Sequence, residues 1–383
     1  MAPSIKPTSK LVELLSDKSK NPNLTIVDTI LFHLGLADIY SLHATSRSFR
    51  WLVDYLTDSP RLLDVNKQLA SFVKDPARFR SELGKYDGLI AGDFVRNFFD
   101  FGRWEDTRLV IYAQEGPKSQ GLTDYLTELE GYKNGTKRPE VFRREDVKDL
   151  CIVIKTAATS PIVEIINKAQ TTADLNVISW NKAYSILPLP TIVSHKFYPL
   201  KPFDNAFGRT LRQYTNQGWT TRDMLWPDMT RELIPQKECH RVGDSRSLII
   251  KLSKPPDGDF TPDHVLEANV FSMLWESDST HRSLAIGTES VIKSFTLRHT
   301  YSNGSKGISC ASWKRFLDER LRRWIFVEMI KMDREKRPRG FYFLSPGNYN
   351  VTIPDDYEPP DDWDYADDQI IPWFHEWQRG EGR

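Results

Sequence analysis

The sequence predicts a mixed α+β protein: a short N-terminal helical unit followed by a large body built on a mixed sheet. Three observations carry that expectation. Apolar residues between Leu24 and Leu56 recur at helical spacing. Thr107 to Ala113 (TRLVIYA) alternates as a strand does, and strand and helix signals then interchange through the middle of the chain. Aromatic residues make up 12% of the chain, with eleven Trp, more than a disordered polymer carries.

In chain order, residues 1–23 are polar with three prolines and read as a flexible lead-in, in which Leu11, Leu14 and Leu15 can form one helical turn. Thr25 with Asp28 resembles a short capping box, so a helix should open there, with Val27, Ile30, Leu31 and Leu34 on one face. Gly35 stands where a helix ends, Asp38 can cap a second helix carrying Ile39 and Leu42, and Ser46 can open a third through Phe49, Leu52, Val53 and Leu56. Three short helices within residues 24–56 bury little surface alone. They need a partner, either the rest of the chain or another protein.

Residues 57–85 read as two connecting helices, Leu62 to Val73 and Ala77 to Leu83, the second behind the Asp75-Pro76 cap. The body is expected over residues 86–352. It opens with GLIAGDFVRNFF (Gly88 to Phe99), an apolar entry, a glycine turn and a helix. The strand Thr107 to Ala113 comes next, then a helix from Leu122 to Tyr132, with further strands at Asp149 to Lys155, Ile162 to Asn167 and Asn176 to Ser179. Phe203 to Gln217, Arg222 to Trp226 and Trp313 to Met332 read as helices, and Gly243 to Leu252 as a turn into a strand.

Residues 353–383 form an acidic, aromatic tail, with eight carboxylates and no Lys or Arg from Asp355 to Asp368. Such a tail is either a solvated end or a segment that lies back on the basic helix around Lys314, Arg315, Arg320, Arg322 and Arg323. In the second case its aromatics must anchor it, because surface charge pairs contribute little each.

Lys plus Arg equals Asp plus Glu at 52 each, which gives no global field for nucleic acid or an anionic membrane. No run is long and apolar enough to span a bilayer, and the first residues lack a signal-peptide core. Three widely spaced cysteines, Cys151, Cys239 and Cys310, do not make a disulfide framework. An intracellular protein, cytoplasmic or nuclear, is expected. Lys331 to Arg339 could serve as a nuclear-localisation patch, although the end of a solvated helix explains it as well.

The order Leu24, Ile26, Ile30, Leu34, Asp38, Ile39, Leu42, Ser46, Arg47, Phe49 resembles an F-box, with Thr25 where that family usually has proline. The resemblance implies docking onto the Skp-type adaptor of a cullin-based ubiquitin ligase through Leu24, Ile26, Val27, Ile30, Leu31, Leu34, Ile39 and Leu42. An unknown substrate protein would then be held by the larger body.

Residues 86–252 also resemble a nucleotidyltransferase-fold region of the kind that follows the N-terminal module in fungal F-box-like proteins. There a Gly-Ser turn opens a helix, a tryptophan precedes the next strand, and that strand carries Asp-x-Asp. The matching positions are Gly92-Asp93, Trp104 and the strand from Thr107, with NVISWNKAYSILPLPT as a further similar segment.

Two Asp at i and i+2 on a strand share one face and can hold divalent metals against a triphosphate. Here those positions are Arg108 and Val110, a cation and a side chain with no ligand oxygen, and Asp93 replaces the phosphate-cradling serine. Glu105 and Asp106, being adjacent, would face opposite ways. The implied fold is therefore a degenerate one without its chemistry, and no cofactor is expected. Metal-dependent nucleotidyl transfer and a nucleotide-binding pseudoenzyme without a ligase role are the alternatives. No P-loop, Gly-x-Ser-x-Gly elbow or His-Glu-x-x-His occurs, and Cys239-His240 lacks a second pair at zinc spacing.

Overall fold

The computed structural model describes residues 10–15, 23–104, 107–135, 138–146, 149–201, 204–219, 239–277, 282–292, 294–338, 341 and 357–381. Several sequence expectations lie outside these residues: most of the lead-in, Glu105 and Asp106, Phe203, the helix Arg222 to Trp226, and Asp355. The protein is mixed α+β, as expected.

α1 (Lys10–Leu15) ends in the buried Leu15. α2 (Leu24–Leu34) is capped by Asn23, whose side chain accepts from the Ile26 amide at 3.3 Å, rather than by Thr25. Asp28 is not a first-turn anion. It is buried and accepts hydrogen bonds from Tyr55 Oη and Ser59 Oγ, each at 2.7 Å. Gly35, at φ 83° and ψ 168°, ends α2 and opens α3 (Leu36–Thr45), the two helices meeting at a bend of 112°. Ser46 accepts from the Ser48 amide at 3.2 Å and opens a short 3-10 turn, which leads to α4 (Trp51–Asp58). α5 (Val65–Leu69) is much shorter than the expected Leu62 to Val73. Asp64 caps it, while Leu62, Leu63, Phe72 and Val73 are buried in turns on either side. α6 (Pro76–Lys85) starts at the expected Asp75-Pro76 cap.

β1 (Leu89–Ala91), α7 (Asp93–Phe99) and β2 (Arg108–Gln114) follow the pattern read from the sequence. α8 (Pro117–Asp124) runs on as a π-helical turn that closes before Gly131, at φ 77°. β3 (Lys133–Asn134), β4 (Val141–Arg143) and β5 (Cys151–Ala157) come next.

Residues 162–167, expected as a strand, lie in α9 (Pro161–Lys168). Pro161 suits the first turn of a helix, and Ile162, Ile165 and Ile166 are buried at helical spacing despite their β-branched side chains. The chain continues through β6 (Asn176–Ile178), β7 (Lys182–Ser185), α10 (Asn205–Asn216), β8 (Cys239–Arg241), β9 (Leu248–Lys251) and α11 (Asp263–Glu267). It closes with β10 (Val270–Ser277), β11 (Arg282–Ile292), β12 (Tyr301–Gly304), α12 (Ile308–Lys331) and α13 (Ile370–Glu381).

Two compact units divide the chain. The first comprises residues 1–157, 169–234 and 247–260, the second residues 158–168, 235–246 and 261–383. Residues 86–352 fall in both.

In the first unit an eight-stranded sheet runs β3-β4-β5-β2-β1-β6-β7-β9. Among the described residues only β2 and β5 pair in parallel, with Val110 opposite Val153. β2 is covered on both faces: Leu109, Ile111 and Ala113 are fully buried and Val110 and Tyr112 nearly so. One apolar core joins Val27, Leu31, Ile39, Leu52 and Leu56 to Ile90, Phe94, Ile111 and Ile154. The N-terminal helices thus find the partner they need in their own chain.

In the second unit an antiparallel sheet, β12-β11-β10-β8, is accompanied by α12 and α13. Asn167 on α9 bridges to β11, donating to Thr288 Oγ1 and accepting from the Thr288 amide, both at 2.9 Å. The acidic, aromatic tail lies back on the basic helix. Phe374 and Trp377 pack on Trp313 of α12 and Trp373 on Trp324, and Trp363 joins a second cluster with Met329. Arg320 pairs with Glu376. The Trp324 indole N–H donates to Asp364 O at 2.8 Å.

Burial pushes the phenol of Tyr132, whose hydroxyl donates to Phe72 O at 2.6 Å, up to about 12. Tyr125, Tyr214 and Tyr301 are raised further, burial again being the largest cause. A phenol raised in the folded state contributes stability that is complete below the unfolded value of 10.0 and is lost as pH climbs through about 12. An ultraviolet absorbance titration should therefore show these tyrosines ionising together with the loss of near-UV dichroism. Their ionisation in the intact fold, at ordinary pH values, would contradict this.

Candidate functional site

Two regions carry the chemistry that the sequence nominated, both within the first unit. The first is the outer side of α2. Leu24 and Ile26 are each 45% exposed, while Val27, Leu31 and Ile39 are fully buried. Those last three are core positions and hold the helices to the sheet-bearing body. Ile30, Leu34 and Leu42 are partly buried at the edge of the same core. The pattern follows from helix geometry. Val27 and Leu31 lie one turn apart on the inward side, and Ile26, Ile30 and Leu34 step by four residues along an adjacent side that is only half covered.

The second region is the β1–α7–β2 turn. Gly92, at φ 85° and ψ −149°, makes the sharp reversal from β1 into α7, and Val110 Cγ2 would lie 3.9 Å from a Cβ placed there. Asp93 opens α7. Arg108 is exposed at the start of β2, and Val110 is buried opposite Ala91. The two charges that replace the expected serine and aspartate face each other, with Arg108 Nη2 3.7 Å from Asp93 Oδ2.

Asp93 is held more firmly from a second direction. Arg96, one turn further along α7, pairs with Asp93 and also donates to Asp174 Oδ1 at 3.1 Å and Tyr214 Oη at 2.7 Å. Tyr214 Oη donates to Asp174 Oδ1 at 3.0 Å, and the Arg96 guanidinium lies 4.3 Å from the Tyr214 ring centre. Gln213 Nε2 adds a hydrogen bond to Asp93 Oδ2 at 2.9 Å. The result is an ionic network centred on the buried Arg96 where the resemblance would put a metal-bound triphosphate. The carboxylate oxygens are engaged by cations of the chain itself, and Val110 offers none. An exposed pair of this kind is worth little, so Arg108→Ala should change stability by no more than about 1 kcal/mol in a urea titration.

Arg96, Asp174 and Tyr214 were not singled out from the sequence. Arg96 had a visible signal, a lone cation inside the apolar run FVRNFF. Asp174 had another, since Thr171 and Asp174 form a capping box before a short 3-10 turn. Nothing local marks Tyr214, which meets Arg96 only through the fold.

Trp104, the tryptophan before the strand, is fixed by Asn97, which donates to Trp104 O at 2.6 Å and accepts from its amide at 3.0 Å. It lines a cavity of about 470 Å³ with Phe72, Phe94, Phe101 and Gln68.

In the second unit His240 is buried, stacked on Phe271, and shares a 3.1 Å contact between Nδ1 and Asp244 Oδ2. Among the described residues no cluster of three or more His, Cys, Asp or Glu side chains could hold a metal ion. No single helix among them is long and apolar enough to cross a membrane. Compared with family models, curated proteins and solved structures, the chain matches none.

Proposed function

We propose that the chain is a non-catalytic binding protein, an F-box-type substrate receptor that engages the Skp-type adaptor of a cullin-based ubiquitin ligase. A second protein, the substrate, would be recruited by the larger body. The observation that carries this reading is the pair Leu24 and Ile26, two large apolar side chains left 45% exposed in the first turn of α2. They are continuous along the helix with half-covered Ile30 and Leu34. Burying an apolar side chain of this size fully is worth about 1.5–3 kcal/mol, so completing the burial of such a strip is a sufficient drive for one helical docking contact.

In this reading the adaptor is met by Leu24, Ile26, Ile30, Leu34 and Leu42, the residues of the set that are not fully buried. The test is co-purification of the intact protein with a Skp-type adaptor, beside a variant carrying Leu24→Asp and Ile26→Asp. Because both residues are exposed, the variant should melt within about 0.5 kcal/mol of the parent and still lose the adaptor. Failure of the intact chain to bind would sink the proposal.

Metal-dependent nucleotidyl transfer, and nucleotide binding without a ligase role, are the other readings, and the ion pairs of Asp93 weigh against both. Calorimetry with a nucleoside triphosphate and magnesium should give no binding heat. Tight, metal-dependent binding would favour the enzymatic reading instead.

A further inference from the structure

Within the second unit α12 spends one side on the core and turns the other outward. Cys310, Trp313, Leu317 and Leu321 are buried. Phe374 and Trp377 of α13 pack on Trp313, Trp373 packs on Trp324, and Glu376 pairs with Arg320. α12 thus already holds one amphipathic helix, by aromatic burial and a carboxylate–guanidinium pair.

The outward side has an order of its own. Ile308, Ala311, Arg315, Glu319, Arg322 and Ile330 fall one or two turns apart along it, and all are exposed. The two ends of this face are aliphatic: Ile308 is 85% exposed at one, and Val327 and Ile330 are 51% and 49% exposed at the other. A lone exposed aliphatic side chain is ordinary. Here such side chains stand at both ends of a single helical face about 33 Å long.

Between those ends the face is basic. Lys314, Arg315, Arg322 and Arg323 are exposed and outnumber Glu319 and the half-buried Asp318. Arg323 is tied to Glu319. Lys314 and Arg322 act on Asp318 without pairing with it, and neither they nor Arg315 form an ion pair among the described residues.

We propose that this outward side of α12 docks an amphipathic helix of another protein, acidic midway along its docking face and aliphatic towards both ends. Carboxylates set over Arg315 and Arg322 would repeat the pairing of Arg320 with Glu376, and such charge-assisted contacts are the strong ones when both partners are held in register. Aliphatic side chains over Ile308 and over Val327 with Ile330 would complete the burial of both ends, and side-chain ridges at three- and four-residue spacing are what a second helix interlocks with. A nucleic-acid backbone suits the face less well, because two carboxylates lie at its middle and its ends offer no charge. A lipid surface suits it less well too, because the large apolar side of α12 is taken by α13. This inference goes beyond adaptor docking and uses none of the α2 residues, so either can fail without the other.

The experiment titrates the intact protein with synthetic helical peptides of about six turns, followed by fluorescence anisotropy. One peptide carries glutamates midway along one face and leucines at both ends of it, a second carries lysines in place of the glutamates, and a third is a scrambled form of the first. The acidic peptide should bind at least tenfold more tightly than either of the others, and its affinity should fall about tenfold from low salt to about 0.5 M. The double variant Arg315→Glu, Arg322→Glu should lose the acidic peptide and gain the lysine peptide, and Val327→Ser with Ile330→Ser should weaken the acidic peptide about tenfold. These positions are exposed, so each variant should melt like the parent. Equal binding of the three peptides, or an acidic peptide that ignores both double variants, would overturn the proposal. So would tighter binding of anionic phospholipid vesicles or of a DNA duplex than of the acidic peptide, or sedimentation of the protein alone as a dimer that Val327→Ser with Ile330→Ser dissociates.

Discussion

Replacing Arg80 with methionine should lower the stability of the sheet-bearing unit by about 3 kcal/mol or more, and Arg80→Lys should recover little of that loss. Arg80 is fully buried on α6. Its Nε donates to Trp180 O at 2.9 Å, and its Nη1 reaches Asn66 Oδ1 at 3.1 Å and the carbonyls of Ser253 and Lys254, each at 3.2 Å. One guanidinium thus gathers three stretches of chain that are far apart in sequence. Methionine fills part of the volume but leaves those acceptors without donors in a dry interior. Lysine carries the charge but not the planar fork, and it cannot address the separate carbonyls from one position. Burial pulls the Arg80 pKa down to about 10, so the group stays charged at neutral pH. Urea unfolding followed by tryptophan fluorescence is the measurement. A loss under about 1 kcal/mol for the methionine variant would mean that the surrounding loops rearrange to satisfy themselves.

The second large loss should come from Asp367→Ala, about 3 kcal/mol in the unit that holds the tail. Asp367 is buried and accepts from the Arg298 amide at 2.9 Å, the His299 amide at 3.1 Å and Tyr301 Oη at 2.8 Å. Alanine would strand three donors at once. Asparagine keeps one oxygen and should recover part of the loss. Differential scanning calorimetry should show the change, together with exposure of Trp373 and Trp377 to a collisional quencher. If the alanine variant melts like the parent, the tail is held by its aromatics alone and the carboxylate is incidental.

The sequence conveyed most where local rules act alone. Asp75-Pro76 before α6, the alternation in β2 and the Gly92 turn all arise from chemistry within a few residues, and they lie where the pattern puts them. The tail was legible only in composition: the sequence allowed a solvated end as well as a return onto the basic helix, and the burial of Trp373, Phe374 and Trp377 on α13 decides for the second. Residues 162–167 misled because isoleucine and valine run together there. Period alone does not separate a short apolar strand from a short helix, and Pro161 was the arbiter.

The candidate site was less legible. That Arg108 and Val110 offer no oxygen to a metal could be read directly, but the network around Asp93 could not, because Arg96 is separated from Asp174 by 78 residues and from Tyr214 by 118. Nor could the sequence divide the apolar face of α2 into buried Val27 and Leu31 and exposed Leu24 and Ile26, because every one of them is simply hydrophobic.

The alternating membership of the two units has a practical consequence. The chain passes between them five times, at residues 157/158, 168/169, 234/235, 246/247 and 260/261. β9 therefore completes the first sheet only after β8 of the second unit has been laid down. No single cut releases either unit intact, and expression of residues 1–157 alone would leave β1 without β6 and expose an unpaired strand edge. Nascent chains face the same constraint on the ribosome, where Trp313 must wait for the last helix before its apolar surroundings can close.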